Sequence, residues 1–423
     1  MKSIKKIIFF ISLLFITLFF LQCENNLEVK KKKPLVADAG PDQTIPACSY
    51  VIIDASNSYF GENPGRNLLF EWTHDPNNPQ ETTGLWTGDN KIHAVGFIKE
   101  GVYRFTLVVS SDEGRSEPDE LIITVTPRQK SVLIDPRLEI TARYSLKKQY
   151  GDLTKEDVLK LDTLTAYGIG NSAPKVTTLE GVQFCENLTF LGLNSQNITD
   201  ITQLKNLKKL KHLELNQNYH LEDISPLAEL TNLEYLDLDT DLRIKDIFPL
   251  RNLTKLKYLD IMYDTLITDI SAIKNMKDME ELGLVDLNVN SIDAVENLIN
   301  LKVLWASGMN IIDIKPLANL KKIYFLHMCD NLINDITPIK NLRLLVRLYL
   351  RDNKIENISP LEFLPNINQL HLDNNKIKDI SPLVRNNGIG KGDLVVLDGN
   401  PLSEKSKNEY IPQLQKRGVM VFY

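Results

Sequence analysis

Six histidines and four cysteines are the residues of this 423-residue sequence most suited to bond-making chemistry, and their spacing argues against it. His74, His93, His212, His220, His327 and His371 form no HExxH pair, and neither GxSxG nor a P-loop occurs. Cys23, Cys48, Cys185 and Cys329 lie far apart without a CxxC, which gives neither a zinc knuckle nor a dense disulfide frame. Cys329 stands two residues from His327, but the sequence offers no third group to orient the pair. No catalysis, cofactor or metal is expected. What remains is recognition chemistry. Trp, Tyr and Arg concentrate at binding hot spots, and here they recur in register.

The register comes from a repeat of 22 or 23 residues. Its first apolar residue falls at Leu188, Leu210, Leu233, Leu256, Met279, Leu301, Ile323, Leu345 and Ile367, with further apolar residues three and five positions on. A polar ninth position follows (Asn218, Asn331, Asn353 and Asn375, with Gln196, Asp241 and Asp264 as substitutes), and Leu287 and Met309 break that series. Such a period belongs to a solenoid whose units bury their apolar edges only by stacking. The ninth-position amide can satisfy main-chain groups of the turning chain. The acids Asp200, Asp223, Asp246, Asp269, Asp313, Asp335 and Asp379 recur at one place in the unit, as corner-building residues do. Short units and prolines such as Pro226, Pro316 and Pro360 leave no room for a full convex helix.

Strand alternation turns the residues between the leucines outward onto one face. The third-position column then runs Phe190, His212, Tyr235, Tyr258, Glu281, Val303, Phe325, Arg347, Gln369, and the fifth runs Gly192, Glu214, Asp237, Asp260, Gly283, Trp305, His327, Tyr349, His371. Two zones result. Glu214, Glu234, Asp237, Asp239 and Asp260 make an acidic patch in the early units. Tyr258, Met262, Tyr263, Trp305, Phe325, His327, Arg347, Tyr349 and Arg351 make an aromatic and basic patch further along, the candidate partner-binding surface. Covering a sheet with aromatics is the plainer explanation of the same residues. His327 and His371 stand two units apart, roughly 10 Å at sheet spacing, too far to share a metal.

Composition is that of an ordinary globular protein, with 43% hydrophobic and 25% charged residues. A net charge of −6 gives no electrostatic argument for nucleic acid. Residues 1–22 read as an export signal, with Lys2, Lys5 and Lys6 ahead of an apolar run from Ile7 to Leu21 that is short for a membrane span. Phe20-Leu21-Gln22-Cys23 resembles the bacterial lipoprotein lipobox, which implies acylation of Cys23 and lipid anchoring of the exported chain to the cell envelope, at its outer surface. Residues 23–33, with lysines 30 to 33, have little to bury and read as a tether.

Residues 34–127 are β in character. Val102 to Val109 alternates, Leu121 to Val125 is a second β-rich run, and turn clusters such as Asn63-Pro64-Gly65 separate them. About seven short strands suit a small sandwich. Ala37-Asp38-Ala39-Gly40-Pro41-Asp42-Gln43, Ile53-Asp54-Ala55-Ser56-Asn57-Ser58, Phe70-Glu71-Trp72 and the run from Gly101 to Leu107 resemble the PKD family of immunoglobulin-like modules. The resemblance implies a core Trp72 and a spacer or adhesion accessory. Tyr59-Phe60-Gly61 replaces that family's acidic turn, so no calcium site is carried over.

Residues 134–187 read as a helical cap, with helices opening at Asp135-Pro136 and at Thr154-Lys155-Glu156-Asp157. Residues 188–402 are the repeats, about ten strands and roughly 45 Å of sheet, and residues 403–423 close the solenoid with a helix from Ser406 to Lys416. Leu153-Thr154-Lys155-Glu156-Asp157-Val158, Leu179-Glu180-Gly181-Val182-Gln183 and the Asp-Ile-Ser-Pro-Leu corners at 223–227 and 379–383 resemble the cap and repeats of bacterial internalin-type leucine-rich-repeat proteins. That implies a parallel concave sheet, short 3₁₀ turns on the convex face, and a non-enzymatic monomer that binds a protein, a host receptor among the options. A polysaccharide ligand and a structural envelope role stay open beside it.

Overall fold

The computed structural model describes residues 35–423 apart from 62, 65–67, 80–81, 86–90, 113, 167–173 and 242. The expected export signal, Cys23 and the tether therefore lie outside the described residues.

The first folded unit packs two sheets face to face. Gln43–Pro46, Leu69–His74, Gly101–Ser111, Gly114–Arg115 and Asp119–Thr126 form one sheet; Ser49–Asp54, Thr82–Leu85 and Ile92–Phe97 form the other. The two inner faces bury Ile45, Val51, Ile53, Phe97, Tyr103, Leu107, Leu121 and Ile123. Phe97 and Tyr103 meet edge to face at 4.8 Å. Trp72, expected at the centre, is only half-buried against this core, whose middle is filled by Phe97 and Tyr103 instead. The opening and closing motifs are tied to each other by their acids. Asp42 Oδ1 accepts from the Ile122 N–H at 2.8 Å, and Asp119 Oδ2 accepts from the Ala39 N–H at 2.7 Å.

The sandwich is joined directly to the cap. Ser49 donates to the Gln149 carbonyl at 2.9 Å, Gln149 Nε2 donates to the Tyr50 carbonyl at 3.2 Å, and Tyr50 packs edge-on against Tyr144 at 5.2 Å. Arg128, in a stretch to which the sequence assigned no structure, reaches Glu139 at 2.6 Å. Glu139 is fully buried and also accepts from Arg143 Nε at 2.8 Å. Two fixed cations around one buried carboxylate satisfy it in a place where a lone charge would be very costly.

The cap has both expected helices. Asp135 accepts from the Arg137 and Leu138 N–H groups at the start of Pro136–Ser145, and Thr154 and Asp157 form a capping box on Lys155–Val158. Between the helices and the repeats the chain adds a strand, Thr163–Thr165. With this strand before the ten of the repeats and the closing strand Met420–Phe422 after them, the concave sheet has twelve parallel strands. The strands up to Gln369–His371 each contribute an inward leucine such as Leu191, Leu259 or Leu348 with no exposed surface, Val395 follows almost fully buried, and Val421 of the last strand is partly buried. On the opposite side, 3₁₀ turns such as Ser225–Glu229 and Ser359–Phe363 replace helices. The recurrent acids build the corners as their register implied. Asp223 Oδ1 accepts from the Ser225 N–H and Asp246 Oδ1 from the Phe248 N–H, both at 2.8 Å.

The ninth position runs as a ladder through the core. Asn353 Nδ2 donates to the carbonyls of Met328, Leu350 and Arg351 at 2.9–3.1 Å, and its Oδ1 accepts from the Ile333 N–H at 3.0 Å. Asn331 and Asn375 repeat the pattern. At the end of the chain, Ser406–Tyr410 and Ile411–Lys416 form the closing helical segment, whose Ile411 and Leu414 cover the last apolar edge.

Candidate functional site

Every strand of the repeat region places two residues on the concave side, glycines at Gly192 and Gly283, and the in-register pairing stacks them into columns. Tyr235 stands opposite Tyr258 and Asp237 opposite Asp260; Trp305 stands opposite His327, which stands opposite Tyr349. The central leucine between each pair is buried. One sheet thus carries two differently built halves.

In the early half, aromatic residues occupy one column at four consecutive strands. Phe190, His212, Tyr235 and Tyr258 stack nearly parallel, with ring centroids 4.3, 3.9 and 4.1 Å apart. Acids fill the next column. Glu214 accepts from Asn194 Nδ2 and lies 2.7 Å from His212 Nε2; Asp237 accepts from Asn216 Nδ2 at 2.6 Å; Asp260 accepts from the Met262 N–H at 3.0 Å and the Tyr258 hydroxyl at 3.3 Å. Burial pushes the Asp239 carboxyl up, and burial together with neighbouring acids pushes the Asp237 carboxyl up and the Asp260 carboxyl up to about 7. Burial likewise raises the Tyr258 phenol, and the Tyr235 phenol to about 12. The stack lies among the acids of the acidic patch, a juxtaposition that sequence analysis missed although the four aromatics stood in one column. Glu234 does not belong to that patch. It lies at the edge of the sheet, where Lys257 Nζ and Lys211 Nζ approach it at 2.6 and 3.5 Å.

In the late half, Trp305, His327, Tyr349 and His371 share one column over four consecutive strands, but with Phe325 in the next column the neighbouring rings meet tilted rather than face to face. Trp305 and Phe325 meet at 5.4 Å with a 51° tilt, Phe325 and Tyr349 at 5.6 Å, His327 and Tyr349 at 5.3 Å, and Tyr349 and His371 at 4.6 Å. Trp305, Phe325, His327, Tyr349 and His371 are all half-exposed. Tyr349 donates to Gln369 Oε1 at 2.6 Å, which fixes its ring. Arg347 extends into solvent beside this cluster; Arg351 lies past the strand end and pairs with Asp352 at 2.9 Å and Asp330 at 3.4 Å. Met262 stays half-buried near Gly283, close to the early stack. Tyr263 is off the concave face. It takes the left-handed turn position at φ 63°, which Gln217, Thr240 and Asp352 occupy in their own units.

A third group does orient His327: Ser307 Oγ lies 2.6 Å from its Nδ1, while Cys329 Sγ is 3.9 Å from its Nε2. The row is still no nucleophile. Burial pushes the Cys329 thiol up to about 11 and the His327 imidazole down, so at neutral pH both are uncharged and no thiolate forms. Among the described residues no three His, Cys, Asp or Glu side chains converge on a point that could hold a metal ion. Cys48, Cys185 and Cys329 are free and buried.

Stacked parallel strands, an Asn ladder and 3₁₀ corners define a leucine-rich-repeat protein, and the sequence signature of paired leucine-rich repeats matches residues 186–229, 231–275 and 344–385. The chain is more narrowly internalin-like. The crystal structure of the internalin InlF from Listeria monocytogenes resembles it with a TM-score of 0.59 at 29% identity, over 69% of this chain and 89% of that one. Internalin C2 from the same organism aligns at 30% identity over 64% of this chain and 95% of that one, with a TM-score of 0.35. A leucine-rich-repeat protein of Leptospira interrogans aligns at 18% identity over 63% and 91%, with a TM-score of 0.48. No curated protein matches the sequence significantly. Internalin-like repeat proteins are in general protein-interaction modules. No helix among the described residues is long and apolar enough to cross a membrane.

Proposed function

We propose that this chain is an exported, lipid-anchored recognition protein that binds a protein partner through the late half of its concave face. The observation carrying this reading is the half-exposed cluster of Trp305, Phe325, His327, Tyr349 and His371 on a rigid sheet. These rings touch one another, and each keeps part of its surface open among the described residues, so a partner's apolar surface would be buried there at little ordering cost. Arg347 at the margin adds a cation to the same surface. In this reading residues 1–22 direct export and Cys23 carries the lipid. The sandwich at 34–127 is a PKD-like unit that carries the repeats away from the membrane, and the chain acts as a monomer at the cell surface.

The test is capture of surface proteins from candidate host cells by the full chain, beside the double variant Trp305→Ala/Tyr349→Ala. The wild type is expected to retain a specific protein at least about tenfold better than the variant, as loss of two hot-spot aromatics implies. Equal recovery by both forms, with both melting at the same temperature, removes the aromatic cluster from the proposal.

A further inference from the structure

Outside the concave face, one rim of the solenoid carries an organised charge. The positions just before the first leucine of each unit lie where the chain turns from a 3₁₀ segment into a strand. Of the seven units that begin at Leu210 to Leu345, five place a Lys or Arg at one of the two residues before that leucine, although the whole chain has a net charge of −6.

Three of these lysines are held by asparagines of the preceding unit. Lys209 Nζ donates to Asn187 Oδ1 at 2.7 Å, Lys255 Nζ to Asn232 Oδ1 at 2.7 Å, and Lys322 Nζ to Asn300 Oδ1 at 2.6 Å. Each asparagine is itself braced. Its amide donates to a main-chain carbonyl one unit further back, Leu159 at 2.6 Å, Lys208 at 2.8 Å and Lys277 at 2.8 Å. A neutral acceptor orients an ammonium group without cancelling its charge. Elsewhere on the rim Glu229, Glu234 and Glu280 neutralise Lys208, Lys211, Lys257 and Lys302. Lys209, Lys255 and Lys322 have no ion-pair partner among the described residues, and all three are exposed. Lys277, Lys321 and Arg343 continue the row in the later units.

We propose that this rim binds a linear, sulfated polysaccharide. Its cations recur at multiples of the strand spacing of about 4.8 Å, in a band one or two side chains wide. That geometry follows a single polymer strand with charges along its length. A membrane would call for a continuous apolar strip beside the cations. Here Ile299 and Leu344 are exposed at single positions of the rim and form no such strip. The site is separate from the concave cluster, and its binding is electrostatic, weakening as salt screens the row.

The experiment measures binding of heparin, as the sulfated probe, to the purified full chain at low salt. It compares Lys209→Gln/Lys255→Gln/Lys322→Gln with a charge-matched control, Lys245→Gln/Lys354→Gln/Lys376→Gln, on the other side of the repeats. A second rim variant, Lys277→Gln/Lys321→Gln/Arg343→Gln, replaces side chains that make no bond to the bracing asparagines, leaves the Lys277 carbonyl in place for Asn300, and decides the matter should the first be poorly folded. Either rim variant is expected to weaken binding at least about fivefold, the loss shrinking as salt rises, with the control and Trp305→Ala/Tyr349→Ala unchanged. Equal losses in rim and control variants would overturn the proposal. So would a wild type that ignores heparin, including one that binds phosphatidylglycerol vesicles or single-stranded DNA instead.

Discussion

The two halves of the concave sheet share a backbone and differ in what their side chains do for one another. In the early half, four aromatics occupy one column on consecutive strands, so their faces cover each other and the neighbouring acids find amide and hydroxyl donors. In the late half, four rings also share one column, but the contacts Trp305–Phe325, Phe325–Tyr349, His327–Tyr349 and Tyr349–His371 are tilted by 34–51°, which leaves ring faces half-open. Whether neighbouring rings lie face to face or tilted thus decides whether a ring is spent on the sheet or available to a partner. Aromatic content alone does not distinguish the two.

The contrast continues behind the sheet, where the largest effects are expected. The late ladder uses asparagine, which can both donate and accept. The early ladder uses Asp241, a buried acid whose Oδ1 accepts from the Asn218 N–H at 2.7 Å while its Oδ2 has no partner. Asn353→Ala strips three donor contacts and one acceptor contact from the core and should lower unfolding free energy by about 3 kcal/mol, measured by urea titration. Asp241→Asn should do the reverse at pH 8 and raise Tm. The sign follows from proton linkage. Burial, with Asp264 nearby, pushes the Asp241 carboxyl from 3.8 up to about 10. Between those values the unfolded chain has released the proton and the folded chain keeps it. The contribution of Asp241 to stability should therefore be greatest in acid and decline as pH rises through that window, by at most about 1.4 kcal/mol per pH unit. A Tm–pH curve no flatter in Asp241→Asn than in wild type would show that Asp241 is not the group responsible.

A smaller effect separates the ring systems themselves. Tyr235→Ala removes a ring stacked on both faces and should lower stability by about 2 kcal/mol. Phe325→Ala, in the open cluster, should cost less. Thermal melts of the two variants side by side check the order, and a larger loss for Phe325→Ala would mean that the late cluster is the more self-supporting half.

Much of this arrangement was legible beforehand because a solenoid makes sequence period and spatial neighbourhood the same thing. Leu191, Leu259 and Leu348 had to point inward once the period was known, and the corner acids announced themselves by recurring. What stayed hidden had no periodic signal. The strand Thr163–Thr165 lies before the first regular unit, and the Arg128–Glu139–Arg143 cluster unites a linker with a helix. Ser307 reaches His327 across neighbouring strands. Tyr263 was misplaced for a geometric reason. Alternation holds only while the chain is extended, and at φ 63° the chain has already turned. The lysine–asparagine ladder was periodic and still went unnoticed, because Asn and Lys alternate by unit and neither recurs at every turn.

The smallest stability effect tests whether the late half is organised for a partner or for itself. Arg351 is half-exposed and pairs with Asp352 and Asp330 across solvent-facing positions. Such pairs contribute less than about 1 kcal/mol, so Arg351→Ala should leave the urea midpoint almost unmoved. If the guanidinium serves the partner, the same variant should weaken capture several-fold while Tm stays constant, because a charge beside a desolvated aromatic cluster is worth more in a complex than in the free protein. A drop in Tm with capture unchanged would place Arg351 among the residues that hold the turn, and would confine the recognition surface to the rings and Arg347.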